Sequence, residues 1–173
     1  MKNLFRSPYG SVYLLFFLSG ASALIYEIAW LNRIQLIMGY TIYALSTVLG
    51  SYLSGLAVGA LAAHRLSSSK KCLNLYLAFE LAIGVYGLLF SGILALVSRL
   101  YAPIVTDTNI PLPLLSLVQF FFCGLVIFFP TFLMGATLPL LAKHLYETSE
   151  ELAENISSLY GFNTLGALAG CLF

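Results

Sequence analysis

Residues 40–63 read YTIYALSTVLGSYLSGLAVGALAA, and this stretch decides the fold. It carries no charged side chain. A bilayer core of ~30 Å needs about 20 apolar residues of helix, so the stretch is long enough to cross one. Ser51, Gly55, Gly59 and Ala63 recur at every fourth residue, which puts four small side chains on one helical face. Helices in lipid gain no hydrophobic force by meeting each other, and small residues let their backbones approach closely. The stretch therefore reads as a transmembrane helix with a packing face.

Working outward, four further segments follow the same logic. Ser11–Leu36 is apolar apart from Glu27 and Arg33, and Cys72–Ser98 carries only Glu80. Leu112–Ala142 is uncharged but contains prolines, and Ile156–Phe173 is uncharged. Period-2 alternation is absent, which argues against a membrane barrel and leaves the helix as the structure that satisfies its own backbone in lipid. The expected fold is an all-α, polytopic transmembrane helix bundle forming one domain over 1–173. It has four complete spans and a fifth, 156–173, that is either complete or truncated.

Composition points the same way. The chain has 173 residues, 60% hydrophobic and 9% charged, with a mean hydropathy of +0.94. Soluble domains carry about a quarter charged residues, so this chain cannot cover a water-facing surface. A net charge of +1 excludes an electrostatic nucleic-acid binder, and high hydrophobicity excludes a disordered chain. Cys72, Cys123 and Cys171 are far apart and show no ligand spacing, so they read as apolar filler. No metal site and no cofactor motif are expected. Glycine-rich nucleotide loops and nucleophile motifs are both missing.

Orientation follows from Lys and Arg placement. With the N-terminus inside, Lys2, Arg6, Arg65, Lys70, Lys71 and Lys143 fall inside, and Arg33 and Arg99 fall outside. The expected location is a bacterial inner membrane with a cytoplasmic N-terminus. Ala21-Ser22-Ala23 also fits a signal-peptide cleavage site, but the apolar run continues past it, which favours a retained helix. Gly39 marks the first outer turn, and Pro103, Pro111 and Pro113 stiffen the loop Tyr101–Pro113. Thr148 and Glu151 make a capping box before a short helix or a lead-in to the fifth span.

Several residues carry more than packing. Glu27 sits ~24 Å into the first span, and an acid at such depth is a functional-site hypothesis by default. The competing reading is a packing acid bonded to Arg33, Arg99 or a hydroxyl. Glu80 lies ~12 Å into the third span, within reach of Lys70, Lys71 or Arg65 as a snorkelling pair. In F-P-T-F-L-M-G-A-T-L-P, 129–139, Pro130, Gly135 and Pro139 predict a broken fourth helix. Broken helices free carbonyls that hold substrates or ions, and Thr131 and Thr137 add hydroxyls there. The competing reading is a simple kink. Tyr26, Trp30, Tyr40 and Tyr43 read either as an interfacial aromatic belt or as rings that hold a cation. Asn163 reads as polar glue between helices. Gly166-x-x-x-Gly170 repeats the small-residue device of Gly55-x-x-x-Gly59, with partners in the same chain or in another.

The stretch S-G-A-S-A-L-I-Y-E-I-A-W-L-N-R from Ser19 is followed by G-Y-T-I-Y-A-L-S-T-V-L-G-S-Y-L-S-G-L-A-V-G from Gly39. Then come F-P-T-F-L-M-G-A-T-L-P-L-L-A and, from Leu159, L-Y-G-F-N-T-L-G-A-L-A-G. In this order the set resembles the membrane region of the membrane-bound spermidine synthase-like family. The resemblance implies that Glu27, Arg33, Pro130, Gly135, Thr137, Pro139 and Asn163 belong to a shared membrane framework. In that family the aminopropyl donor site lies in a later soluble domain, which this sequence lacks, and further spans follow. The chain thus resembles a half-length membrane module: a stand-alone protein, a split subunit or a truncated piece.

Two functions are expected from this reading. The first is a non-catalytic integral membrane subunit that packs with other membrane subunits or with copies of itself. The second is a module that binds or passes a small cation such as a polyamine, with Glu27, Tyr26, Trp30, Thr131 and Thr137 as its site. It would serve a separate soluble aminopropyltransferase. Neither assigns a catalytic residue to this chain.

Overall fold

The structure is a computed structural model that describes residues 10–39, 42–66, 72–105, 111–148 and 152–172. Five helices follow one another: α1 Gly10–Met38, α2 Ile42–Leu66, α3 Cys72–Val105, α4 Leu112–Thr148 and α5 Leu152–Cys171. Among the described residues there is no strand. The molecule is an all-α bundle, and α1 to α4 are long and apolar enough to cross a membrane. The chain is accordingly an integral membrane protein by length and composition, with lipid as the solvent of its outer faces.

The fifth helix departs from expectation. It is continuous over Leu152–Cys171 but is not among the helices apolar enough to cross. Ser157, Ser158, Asn163 and Thr164 dilute its apolar run. It lies instead along α1, and it begins at Leu152, ahead of the expected start at Ile156. The capping pair cannot be placed, because Glu151 lies outside the described residues. So do Lys2, Arg6, Tyr40, Lys70 and Lys71.

The fourth helix also corrects the sequence reading. It runs unbroken from Leu112 to Thr148 through Pro130 and Pro139. Proline removes one N–H and leaves the carbonyl four residues earlier without its donor. For Pro130 that carbonyl belongs to Val126, and the Tyr86 hydroxyl of α3 donates to it at 2.7 Å. A side chain from the neighbouring helix thus fills the missing bond. Helix α3 likewise continues through Pro103 to Val105, so the connection expected from Tyr101 to Pro113 is shorter. Gly39, with φ of 78°, takes the left-handed conformation that ends α1.

The most extensive pairings are α2 with α4 and α1 with α5. The reason is in the glycines. A Cβ on Gly55 would strike the Thr131 side chain, and one on Gly59 would strike the Phe132 carbonyl. Gly135 faces the Leu56 carbonyl in return. Gly166 and Gly170 face the carbonyls of Phe17 and Ala21. Ser51 lies against Gly124, and Ala63 is fully buried. These small-residue faces therefore pack within the chain.

Two apolar cores result. One gathers Trp30, Ile34, Val48, Phe90 and Ile127. The other gathers Phe16, Tyr76, Leu140, Leu145 and Leu159. Between them lies the polar region described next.

Candidate functional site

A cleft of about 400 Å³ opens between α1, α2, α4 and α5. Its walls are mostly apolar, with Phe16, Leu24, Leu56, Met134 and Leu138 among them. Four polar side chains interrupt these walls: Ser19 from α1, Tyr52 from α2, Thr137 from α4 and Asn163 from α5. Apolar walls with a few convergent polar groups are the usual make-up of a small-molecule site.

Each polar group has a distinct status. Thr137 is buried and donates to the Met134 carbonyl of its own helix at 2.7 Å. Ser19 donates across the bundle to Glu80 Oε1 of α3 at 2.6 Å. The Tyr76 phenol, one turn before Glu80 on α3, also directs its hydroxyl to that carboxylate. Asn163 sits against Gly20, where there is no room for a Cβ, and its amide has no hydrogen-bond partner among the described residues. Tyr52 is only 7% exposed, and its hydroxyl too has no partner among the described residues. The Tyr52 hydroxyl keeps access to the cleft, because no enclosed side-chain polar atom among the described residues is left unpaired.

Two carboxylates stand directly behind these walls. Glu80 lies behind Ser19, and Glu27 acts electrostatically on Tyr52. Ser19 and Glu27 are eight residues apart on α1, which separates the two acids by ~12 Å along the helix. The midpoint of α1 falls near residue 24. Both levels then lie within ~8 Å of that midpoint, well inside a slab of ~15 Å half-thickness. Among the described residues neither acid meets a cation: Glu80 has Ser19 and Tyr76, and Glu27 has no hydrogen-bond partner.

The residues singled out from sequence are dispersed by this geometry. Trp30 is 1% exposed and sits between Tyr26 (5.6 Å) and Phe90 (5.2 Å) in a ring stack. That stack removes it from an interfacial belt and from the cleft, because packing on α3 buries the indole. Tyr43, by contrast, is exposed. Thr131 lies in the α2–α4 seam, donating to the Ile127 and Phe128 carbonyls. Of the five proposed substrate residues, Thr137 lines the cleft and Glu27 adjoins it through Tyr52. Arg33 and Arg99 are exposed and do not pair with Glu27. Glu80 bonds Ser19 of α1 rather than Arg65, and Lys70 and Lys71, the other two expected partners, lie outside the described residues.

Ser19, Tyr52 and Tyr76 were not legible as site residues. Ser19 reads as a small packing residue, and its bond partner is 61 positions away. A tyrosine on the small-residue face of α2 was the available signal for Tyr52, since a phenol in lipid needs a partner. Among the described residues no three His, Cys, Asp or Glu side chains gather as a metal-ligand set. Comparison with known protein families, with curated proteins and with solved structures gives no match for this chain.

Proposed function

We propose that the chain is a membrane module that binds a small organic cation of the polyamine class in the cleft between α1, α2, α4 and α5. The carrying observation is a Tyr52 hydroxyl that reaches the cleft without a hydrogen-bond partner among the described residues, together with two acids, Glu27 and Glu80, that meet no cation among those residues. An acid at this depth is a functional-site hypothesis by default, and both acids lie beside a cleft that neither of them lines. An ammonium bonded to Ser19 would sit two hydrogen bonds, at most ~5.4 Å, from the Glu80 carboxylate. At an effective dielectric constant of 20 that attraction is about 3 kcal/mol. In this reading the module lies in a bacterial inner membrane with its N-terminus in the cytoplasm, and it serves a separate aminopropyltransferase.

The test is equilibrium binding of labelled spermidine to the purified full chain in lipid nanodiscs. Saturable binding is expected, weakened about tenfold or more by Glu80→Gln and less by Tyr52→Phe. A chain that folds and binds no spermidine overturns the reading.

A second reading, a non-catalytic subunit of a larger assembly, draws on α3. A Cβ added to Gly84 or Gly92 would meet nothing within 4 Å, and Leu88 between them is 87% exposed. Sizing in mild detergent with identification of co-purifying proteins tests it, and a lone chain counts against it. The glycine faces of α2 and α5 give this reading no support, because α4 and α1 cover them.

A further inference from the structure

Two things can offset a carboxylate charge at the depth of Glu80: a proton on its oxygen or a cation beside it. The groups facing Glu80 are few. Ser19 comes from α1 and Tyr76 from its own helix, and both are hydroxyls. No charged group from α4, the other helix packed on α3, acts on it. Glu27 is ~12 Å further along α1, and its charge acts on Tyr52 rather than on Glu80. The protein therefore supplies hydrogen bonds to Glu80 but no positive charge among the described residues.

Ser19 links this acid to the cleft. Its hydroxyl has one proton, and that proton points at Glu80 Oε1. The lone pairs left on the Ser19 oxygen are acceptors, which suit an ammonium in the cleft. A cation arriving there meets an oxygen made more negative by the Ser19–Glu80 bond, and its own charge favours the ionised carboxylate. A proton on Glu80 does the reverse. We propose that the cleft exchanges its cation for a proton, and that Glu80 is the group that gives the proton up. One ammonium group enters beside Ser19 as one proton leaves the Glu80 carboxyl, so the charge at Ser19 and Glu80 is unchanged.

This inference rests on the cation-binding reading above, and one experiment separates the two. Spermidine is titrated calorimetrically into the full chain in nanodiscs, in two buffers of different ionisation enthalpy, which counts the protons released. About one proton per bound cation is expected at a pH where Glu80 holds its proton. Over that range affinity should fall about tenfold for each unit of acidification. Glu80→Gln should bind more weakly and release no proton, while Glu27→Gln should still release it. Binding of wild type with no proton released overturns the exchange and leaves the cation site standing. Release that survives in Glu80→Gln, or vanishes in Glu27→Gln, overturns the assignment to Glu80. Absence of binding at every pH overturns both proposals.

Discussion

The seam between α2 and α4 and the seam between α1 and α3 join helices by opposite means. In the first, glycines bring backbones together: Gly55 and Gly59 face Thr131 and the Phe132 carbonyl, and Gly135 faces the Leu56 carbonyl. Its hydroxyls turn back on their own helices, Thr47 to the Tyr43 carbonyl and Thr131 to the Ile127 carbonyl. In the second, side chains cross the gap. Ser19 bonds Glu80, and Trp30 stacks on Phe90. A hydroxyl satisfied by its own helix leaves the seam dry and closed. A hydroxyl that reaches another helix holds that seam through a polar pair, and here that pair adjoins the cleft. Close backbone packing and polar side-chain contact are thus divided between two parts of one small bundle.

Three substitutions would break or sharpen this contrast. Gly59→Ala should act most strongly, because its methyl would meet the Phe132 carbonyl, which is backbone and cannot rotate away. A loss of about 2–3 kcal/mol is expected, the range of overpacking, read from unfolding in mixed micelles. A change within ~0.5 kcal/mol would break the description of a closed seam.

Tyr86→Phe comes next. It leaves the Val126 carbonyl with neither an N–H from position 130 nor a hydroxyl, at an expected cost of about 1 kcal/mol. Pro130→Ala restores that N–H, so Tyr86→Phe should cost roughly half as much in its background. Equal costs in the two backgrounds would show that the phenol does not stand in for the missing donor.

Gly84→Ala should do least. Its methyl meets nothing within 4 Å, and alanine favours a helix over glycine by up to about 1 kcal/mol. A small gain in stability is therefore expected. A loss of similar size would reveal something packed on that face of α3.

Much of the fold was legible because lipid imposes a simple rule. Uncharged runs of about 20 residues must be helical, so four spans followed from hydropathy alone. The span expected over 40–63 is described from Ile42 and runs on to Leu66, and the span expected over 72–98 runs on to Val105. The expected break in the fourth helix failed for a reason no local pattern contains. The donor that repairs Pro130 comes from Tyr86, 40 positions away from the carbonyl it serves. The site was partly legible for the same reason. Glu27 and Glu80 stand out as acids in apolar runs, but their surroundings depend on which helix faces which. Trp30 is interfacial by position alone, whereas its place in a ring stack is a property of α3.

The pairing of α2 with α4, across an intervening helix, has a consequence for how the chain is made. Gly59 meets its partner Phe132 about seventy residues later in the sequence. At synthesis rates of ~5–20 residues per second, α2 waits several seconds for the helix that covers its glycine face. During that interval Ser51, Gly55 and Gly59 lie open to lipid or to whatever the insertion machinery offers. Until α4 is made, the glycine face of α2 therefore lacks the backbone contacts that define it in the finished bundle.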